Sequence, residues 1–352
     1  MTCSDSGSRD ALPYWATFLV VLLMAVSCAQ AQSSADGLVR RGQAALDAGN
    51  YEQAVQSFAQ ARQLAPGNLE AARGLILSYV QAGHLDEAIQ SGHEAVSRWP
   101  KDPQLQHWLG LASFKAGQND AARQSLETAS KLDPTDSDIH FDLALVLLTL
   151  TQYPAAADEL EKAIKLTPSR VIAHVLLGRA YLNSNRTAQA IDQFKTALRL
   201  DPSIPLGHYH LGFAYASTGR NDEALAEYEK ELVRSPRNPD VLYQLGHCQL
   251  ESGQWRPAIT NLRKSVEVNP QNPDAYYDLG KALLLEGEAE ASVDALQRAI
   301  ALKPADPSPH FQLAKAFEKL GKTEDARLER QRFAELKKAQ PQTGGMVSGR
   351  VQ

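Results

Sequence analysis

The stretch Pro239–Asn272 reads PDVLYQLGHCQLESGQWRPAITNLRKSVEVNPQN. Apolar residues recur at helical spacing in its first half, around Val241 and Leu245, and again in its second half, after Trp255. Gly253 separates the halves, and a glycine in the left-handed conformation is a common end for a helix because it has no Cβ to clash. The stretch therefore predicts two helices of about 13 residues joined by a tight turn.

The same 34-residue pattern recurs nine times, without insertion or deletion, between Ala35 and Gln340. Numbering each block from its first residue defines a repeat position from one to thirty-four. Position twenty is occupied by a small residue in every block: Ala54, Ala88, Ala122, Ala156, Ala190, Ala224, Ala258, Ser292 and Ala326. A fixed period of this length is typical of a solenoid, in which each hairpin buries its apolar face only against its neighbours. The predicted hairpins span residues 35–68, 69–102, 103–136, 137–170, 171–204, 205–238, 239–272, 273–306 and 307–340.

Position fifteen predicts the turn inside each hairpin. Glycine occupies it in seven blocks, and Asn185, which tolerates a left-handed backbone, in the fifth. Thr151 in the fourth block does not suit that conformation, so we expect its turn to be distorted or differently built. The first helices begin at pairs such as Asn238-Pro239, which combine a capping side chain with a proline whose missing N–H is not needed there.

Position eight predicts how closely the two helices of a hairpin pack. It holds glycine or alanine in every block except the second, and these small residues let the helices approach the alanines at position twenty. Glu231 stands at position twenty-seven, where alanine is usual, and is either exposed by a local shift or buried and paired. In the last block Arg330 replaces the large apolar residue of position twenty-four, which favours a terminal, capping unit with a polar outer face.

These residue types resemble the tetratricopeptide repeat, and the likeness covers residues 35–340. The fifth block carries the full pattern: Leu177, Gly178, Tyr181, Ala190, Phe194, Ala197 and Pro202. The resemblance implies an all-α, right-handed superhelical solenoid of antiparallel helix pairs with nine repeats. It also implies a concave groove lined by the first helices, and it says nothing of which partner lies there.

In that family, residues at positions two, five, nine and twelve of each first helix line the groove, although position twelve is partly internal. The candidate peptide-binding residues, at positions five and nine, are Phe141, Leu145, Arg179, Tyr209, Phe213, Tyr243, His247, Tyr277, Lys281, Phe311 and Lys315. They form a ladder of aromatic and aliphatic groups with cations toward the carboxyl end, which favours an apolar segment with some acidic residues. The same aromatic residues are also suited to packing between repeats, and the sequence leaves both roles open.

Composition and motifs favour a non-catalytic interaction scaffold. The net charge of −5 comes with interspersed cations and no basic patch, which argues against nucleic-acid binding. We find no catalytic motif and no cofactor-binding motif. His140, His174, His208 and His310 share position four, where we expect packing between helices rather than metal ligation, and we predict no metal site. The predicted partner is a protein or peptide; the alternative is an architectural assembly platform for envelope complexes that uses convex faces or self-association.

The amino-terminal residues 1–31 predict the location of the repeats. Ala16–Val26 is an apolar run followed by Ala29-Gln30-Ala31, which is typical of a secretory signal cleaved before Gln32. Two alternatives stay open: lipidation of Cys28, and an uncleaved membrane anchor over Leu12–Ala31. Each predicts an exported, periplasmic or extracellular protein, or one tethered to a membrane by this segment alone. The glycine-rich residues 341–352 predict a disordered tail.

Overall fold

The computed structural model describes the backbone of residues 14–339 and the side chains of Gln30 and of residues 32–339. Over the described backbone every regular element is helical, and the helices, in chain order, are α1 Tyr14–Asp47, α2 Tyr51–Leu64, α3 Leu69–Ala82, α4 Leu85–Arg98, α5 Pro103–Lys115, α6 Asn119–Leu132, α7 Ser137–Thr149, α8 Tyr153–Leu166, α9 Val171–Asn183, α10 Thr187–Leu200, α11 Gly207–Ala216, α12 Asn221–Arg234, α13 Pro239–Glu251, α14 Trp255–Val268, α15 Pro273–Glu286, α16 Ala289–Leu302, α17 Ser308–Lys319 and α18 Thr323–Ala339. The predicted all-α repeat solenoid is confirmed.

The described helices fall into two compact units, one ending at Gln152 and the other beginning at Tyr153. The first unit contains the helix pairs α1/α2, α3/α4 and α5/α6 together with α7. The second contains α8 and the five pairs from α9/α10 to α17/α18. The candidate site residues are distributed over both units, and each unit is considered by itself below.

Capping side chains begin several first helices as the sequence predicts. The Asn238 side chain accepts the N–H groups of Asp240 and Val241 at 3.0 and 3.2 Å, ahead of Pro239. Asn272 and Asp102 cap α15 and α5 in the same way. Asp306 accepts the N–H of Ser308 at 2.9 Å, and α17 starts one residue later than its Asp-Pro pair predicts. These caps satisfy backbone donors that no helical carbonyl can reach.

The turn inside each hairpin is left-handed at position fifteen, with Gly49 at φ +72° and Gly253 at φ +75°. Asn185 takes the same conformation at φ +59°. The prediction of a differently built turn at Thr151 is wrong: Thr151 also lies at φ +57°. The hydrogen bond from Gln152 N to Leu147 O, at 2.8 Å, matches the one from Gln254 N to Gln249 O. The backbone hydrogen bonds of the turn therefore hold Thr151 in a left-handed conformation that a β-branched residue does not favour.

Small residues at position eight make room for the large side chain at position twenty-four of the same hairpin. A Cβ placed on Gly178 would lie 2.5 Å from a ring carbon of Phe194, and one on Gly246 would lie 2.7 Å from Leu262. Phe194 and Leu262 are 1% and 0% exposed, so neither can move aside freely. The alanines at position twenty are buried as predicted. Each hairpin with glycine at position eight thus buries one large side chain in a space that the first helix leaves open, a contribution of about 2 kcal/mol.

The second repeat exchanges these two roles. Ile76 occupies position eight and is 0% exposed, packed with Ala72, Ala95 and Leu105. Gly92 stands at position twenty-four, and a Cβ there would lie 2.9 Å from Leu109 of the next repeat. The large and the small residue have changed helices, so the interior stays filled.

The sixth repeat departs from the others where its first helix begins. Leu206 takes a left-handed conformation at φ +58°, and α11 starts only at Gly207 and is 10 residues long. Glu231 on α12 is 2% exposed, so of the two alternatives the carboxylate is buried. Its Oε1 accepts the N–H of Leu206 at 3.3 Å, and its Oε2 has no partner among the described residues. A carboxylate in an alanine position is therefore held by the irregular backbone that faces it.

The last helix is polar over most of its surface. Of the side chains in α18 only Ala326 is buried, and Arg330 forms an ion pair with Glu318 of α17. The predicted tail, residues 341–352, lies outside the described residues, and so does the side chain of Cys28. A search of the described part of the chain finds no helix with the length and apolar character that a membrane span requires.

Gly178→Ala tests the packing at position eight. We expect this substitution to lower the free energy of unfolding by about 1–3 kcal/mol, because the new methyl group overlaps the Phe194 ring. The control is Gly37→Ala, where a Cβ meets nothing within 4 Å and the better helix former raises stability by about 1 kcal/mol. Urea unfolding measures both. Equal effects of the two substitutions would contradict the packing argument.

Thr151→Gly tests the strain in the fourth turn. We expect it to raise the free energy of unfolding by about 1 kcal/mol, because glycine adopts the left-handed conformation without a Cβ clash. Thr149→Gly, two residues earlier inside α7, is the control and should lower stability by up to about 1 kcal/mol. Thermal unfolding compares the two variants. A loss of stability in Thr151→Gly would show that the side-chain contacts of Thr151 contribute more to stability than its backbone strain costs.

Candidate functional site on the first helices

The candidate residues differ in how much surface they offer. Phe141 and Leu145 are half-buried on α7 in the first unit. The other candidates lie in the second unit, and most of them are half-buried there: Arg179, Tyr209, Phe213, Tyr243, His247, Tyr277 and Lys281. Phe311, at 39% exposed, and Lys315 are exposed on α17. The accessible part of the predicted ladder is therefore its carboxyl-terminal end.

The tyrosines of the ladder contribute to packing. Tyr243 lies against the buried cluster around Leu262, and Tyr277 against the one around Leu296. Burial raises the pKa of Tyr209 and of Tyr243 above the ordinary value for a phenol. These side chains have a structural role even where one edge faces the surface.

A pocket of about 500 Å³ lies between α15 and α17 and brings two of the candidates together. Its lining residues are Lys281, Leu284, Leu285, Gln312, Lys315, Glu318 and Lys319. Leu285 is 44% exposed and contributes apolar surface to the pocket. The pocket combines an apolar wall with three ammonium groups.

The charges around this pocket are not balanced. Lys281 forms an ion pair with Glu251 at 2.9 Å; burial alone would lower the pKa of Lys281, but the hydrogen bond and charge of Glu251 raise it. Glu318 is engaged by Arg330. Among the described residues no carboxylate lies within ion-pair distance of Lys315 or Lys319.

The two remaining ammonium groups make other contacts. Lys315 Nζ lies 4.3 Å from the centre of the Phe311 ring, and Lys319 Nζ donates to the carbonyl oxygen of Leu284 at 2.8 Å. Because they are four residues apart on α17, Lys315 and Lys319 lie on one side of the helix and repel each other. This end of the site can accept a negative charge next to an apolar group.

Several pocket residues escape reasoning from positions five and nine alone. Leu284 and Glu318 occupy position twelve, and Leu285 and Lys319 occupy position thirteen, one helical turn beyond position nine. Residues three or four apart share a helix face, so extending the prediction from position nine by one helical turn would have included these residues.

The histidines at position four pack as predicted where their contacts are described. His174 Nδ1 lies 2.8 Å from Gln193 Oε1, and its Nε2 lies 3.0 Å from the carbonyl oxygen of Pro168 in the preceding repeat. His208 contacts Glu227, and His310 contacts Glu329, each at 2.5 Å. His140 Nε2 lies 3.1 Å from Pro134 O. Within the described residues no group of three or more possible ligands could hold a metal ion.

His210 is a buried histidine of a different kind. It is 8% exposed, its ring stacks on Phe194 with centroids 5.5 Å apart, and its Nδ1 has no partner among the described residues. Burial, and secondarily the positive charge of Arg179, lower the pKa of His210 to about 4. The folded protein therefore keeps this imidazole neutral.

Comparison with known proteins identifies the family. A model of the tetratricopeptide repeat matches residues 39–103, 109–171, 175–239 and 243–307. The chain belongs to the tetratricopeptide repeat family. A search of curated protein sequences gives no significant match. As a tetratricopeptide repeat protein, the chain is a protein-interaction scaffold.

Solved structures of repeat proteins resemble the chain at low identity. A chain of the APC/C hetero-tetramer Cut9–Hcn1 is 15% identical over 76% of this chain, with a TM-score of 0.52, and the match covers 52% of that chain. YrrB, described as a TPR protein with an unusual peptide-binding site, is 21% identical over 53% of this chain and 96% of its own, with a TM-score of 0.46. MamA from Desulfovibrio magneticus is 24% identical over 48% of this chain and 96% of its own, with a TM-score of 0.46. The likeness to the Cut9–Hcn1 chain shows the fold alone.

The low pKa of His210 predicts a stability change with pH. The unfolded chain protonates this histidine near pH 6.5 and the folded chain near pH 4, so stability falls as pH drops through that window. Between pH 7 and pH 5 the native protein should lose about 2 kcal/mol more than His210→Phe, which keeps the stacking on Phe194. Urea unfolding at both pH values measures the difference, and parallel losses in the two proteins would contradict it.

Proposed function

We propose that the protein binds a segment of another protein in a groove along the first helices of its second unit. The segment is apolar with acidic residues, and one end of it lies at the pocket between α15 and α17. The first helices of this unit supply the candidate residues from Arg179 to Lys315. The interaction is non-catalytic, and its specificity comes from the side chains that the repeats align.

The observation that carries this proposal is the unbalanced charge of the pocket beside exposed apolar surface. Lys315 and Lys319 line the pocket and repel each other across one turn of α17; their described contacts are the Phe311 ring and the carbonyl oxygen of Leu284, and no described carboxylate lies within ion-pair distance. An acidic side chain placed between them relieves this repulsion. Leu285 and Phe311, 44% and 39% exposed, supply apolar contact area next to it. Charge complementarity selects acidic segments over basic ones.

The double substitution Lys315→Ala with Lys319→Ala tests this proposal. We expect at least a tenfold loss of affinity for acidic, apolar peptides, because removing two ammonium groups leaves the ligand carboxylate without a partner. An array of short Leu- and Phe-containing peptides, each in a Glu form and a matched Gln form, measures the preference in the native protein and in the variant.

The matched control is Lys264→Ala with Lys338→Ala, which removes the same charge from exposed positions on α14 and α18. This control should bind the Glu peptides as the native protein does. Equal losses of affinity in both double variants would show that the effect comes from the net charge of the protein rather than from the pocket. Full retention of binding by the Lys315 and Lys319 variant would remove the pocket from the site and favour an assembly platform that uses the opposite faces.

A further inference from the structure

The second unit exposes aliphatic side chains at one end of its first hairpins. Leu166 and Leu200 are the last residues of α8 and α10, and both are exposed. Ile172, in the first turn of α9, is also exposed, and Val233, in the last turn of α12, is 82% exposed. A second helix ends where the first helix of the next repeat begins, so these side chains lie at the same end of their hairpins. A group of uncovered aliphatic side chains is typical of an interaction surface.

Leu206 belongs to this group because of its irregular backbone. It has a left-handed φ of +58°, precedes the late start of α11 at Gly207, and is exposed. Position two, which Leu206 occupies, holds a carboxylate in five other repeats: Asp36, Glu70, Asp138, Asp240 and Asp274. In the fifth and sixth repeats it holds Ile172 and Leu206 instead. The aliphatic residues thus replace carboxylates in the two repeats that follow the exposed Leu166 and Leu200.

Hydrogen bonds place the end of α12 beside the linker before α11. Arg234, the last residue of α12, donates to the carbonyl oxygens of Pro202 and Ser203. One turn earlier on that helix, Glu231 accepts the N–H of Leu206 at 3.3 Å. The last turn of α12 therefore lies along this linker.

Further contacts join the linkers to the helices that precede and follow them. A Cβ on Gly207 would lie 2.6 Å from Ile204 of the linker and 2.8 Å from Leu198 of α10. His174 Nε2 of α9 lies 3.0 Å from the carbonyl oxygen of Pro168, in the linker after α8. The exposed aliphatic side chains therefore belong to one surface. We call it the linker edge and define it by Leu166, Ile172, Leu200, Leu206 and Val233 with the exposed cations beside them.

These cations have no carboxylate partner among the described residues. Lys165 and Arg199 directly precede the two exposed leucines at the ends of α8 and α10, and Arg237 follows α12 by three residues. All three are exposed, and no described carboxylate lies within ion-pair distance of them. Asp201 lies in the same region, but it accepts the N–H and the hydroxyl of Ser203 at 2.7 and 2.6 Å. The linker edge therefore combines aliphatic surface with positive charge that is not neutralised.

The corresponding ends of the next two hairpins lack this combination. Position twenty-nine, which holds Lys165 and Arg199 in the fourth and fifth repeats, holds Glu267 and Ala301 in the seventh and eighth. Lys303, after α16, lies 3.8 Å from Asp274 and 3.3 Å from Asp306. The helix dipole favours cations at the end of any helix, so it does not explain why unpaired cations and exposed aliphatic residues coincide in only part of this unit.

The chemistry of the linker edge fits a bilayer that contains anionic lipids. Aliphatic side chains enter the boundary between headgroups and acyl chains, and Lys and Arg are attracted by the negative charge of the headgroups. A second copy bound through the same surface would place like charges opposite one another. Specific protein interfaces usually have aromatic residues at their centre, and the side chains that define the linker edge include none.

We propose that the linker edge docks the second unit on the surface of a bilayer that contains anionic phospholipids. Its aliphatic side chains insert between the headgroups, and Lys165, Arg199 and Arg237 lie against the phosphates. No part of the repeats crosses the bilayer. The linker edge shares no residue with the pocket between α15 and α17, so this inference does not depend on the proposed function.

Vesicle sedimentation of the full chain tests the charged part of the linker edge. Phosphatidylcholine vesicles are compared with vesicles that also contain phosphatidylglycerol, and the native protein should prefer the anionic vesicles about tenfold or more. The triple substitution Lys165→Gln, Arg199→Gln and Arg237→Gln should reduce this preference about tenfold. The apolar run Ala16–Val26 is uncharged and present in every variant, so it cannot cause a difference in charge preference between them.

The matched control for charge is the triple substitution Lys264→Gln, Arg298→Gln and Lys338→Gln. It removes the same charge from exposed residues of α14, α16 and α18, and it should keep the native preference. The Lys315 and Lys319 double variant should keep it as well, which separates this test from that of the proposed function.

A second pair of variants tests the aliphatic part. Ile172→Ser with Val233→Ser should reduce binding to the anionic vesicles about tenfold, because two side chains no longer insert. Leu285→Ser with Leu328→Ser removes two exposed leucines elsewhere in the unit and should have no such effect. All four residues are exposed, so the melting temperature should stay at the native value in both double variants.

Each outcome decides the proposal. Native protein that binds both kinds of vesicle alike or neither overturns it, and so does an unchanged preference in the Lys165, Arg199 and Arg237 variant. Equal losses in the two triple variants assign the effect to net charge and also overturn it. In sedimentation velocity without vesicles, a dimer of the native protein that Ile172→Ser with Val233→Ser dissociates would assign the linker edge to a second copy instead.

Discussion

The close approach of the two helices in each hairpin is the constraint on which the rest of the structure depends. A glycine such as Gly178 at position eight leaves a space that the large side chain at position twenty-four of the other helix fills. This contact sets the separation of the helices, and the left-handed residue at position fifteen sets the angle at which the chain returns. Within each unit, where both conditions are met in successive repeats, the first helices follow one another with a constant register. That register is why side chains from different repeats can be compared position by position.

Most of the fold could be predicted from the sequence because the same 34-residue pattern occurs nine times. Helix starts at Asn238 and Asn272 followed from capping chemistry that needs only neighbouring residues. Thr151 could not be predicted in this way, because its backbone is set by hydrogen bonds across the turn rather than by its own preference. Glu231 depended on the backbone at Leu206, which has no counterpart in other repeats. Local rules therefore failed where one repeat differs from the average.

The candidate site was less predictable than the fold. Positions five and nine include Lys281 and Lys315, which line the pocket, but not Lys319, which lies one helical turn further on. The sequence also did not predict that Arg179 Nε has no hydrogen-bond partner among the described residues, since Lys281 occupies the same repeat position and has one. Whether a charge is neutralised depends on contacts between repeats, and a single sequence does not specify which side chains meet. Residues within one repeat therefore specify the hairpin, whereas the pairing of charged side chains depends on contacts between repeats.

The exchange of Ile76 and Gly92 in the second repeat limits how freely these units could be recombined. In the other hairpins that carry glycine at position eight, the bulk comes from the second helix, whereas here it comes from the first. A chimaera that joined α3 to the second helix of such a hairpin would bring two bulky groups into the same volume. The reciprocal fusion would leave that volume empty. Crossover points between hairpins preserve these complementary partners, so shuffling, in evolution or in the laboratory, should succeed at repeat boundaries and fail at the turns within them.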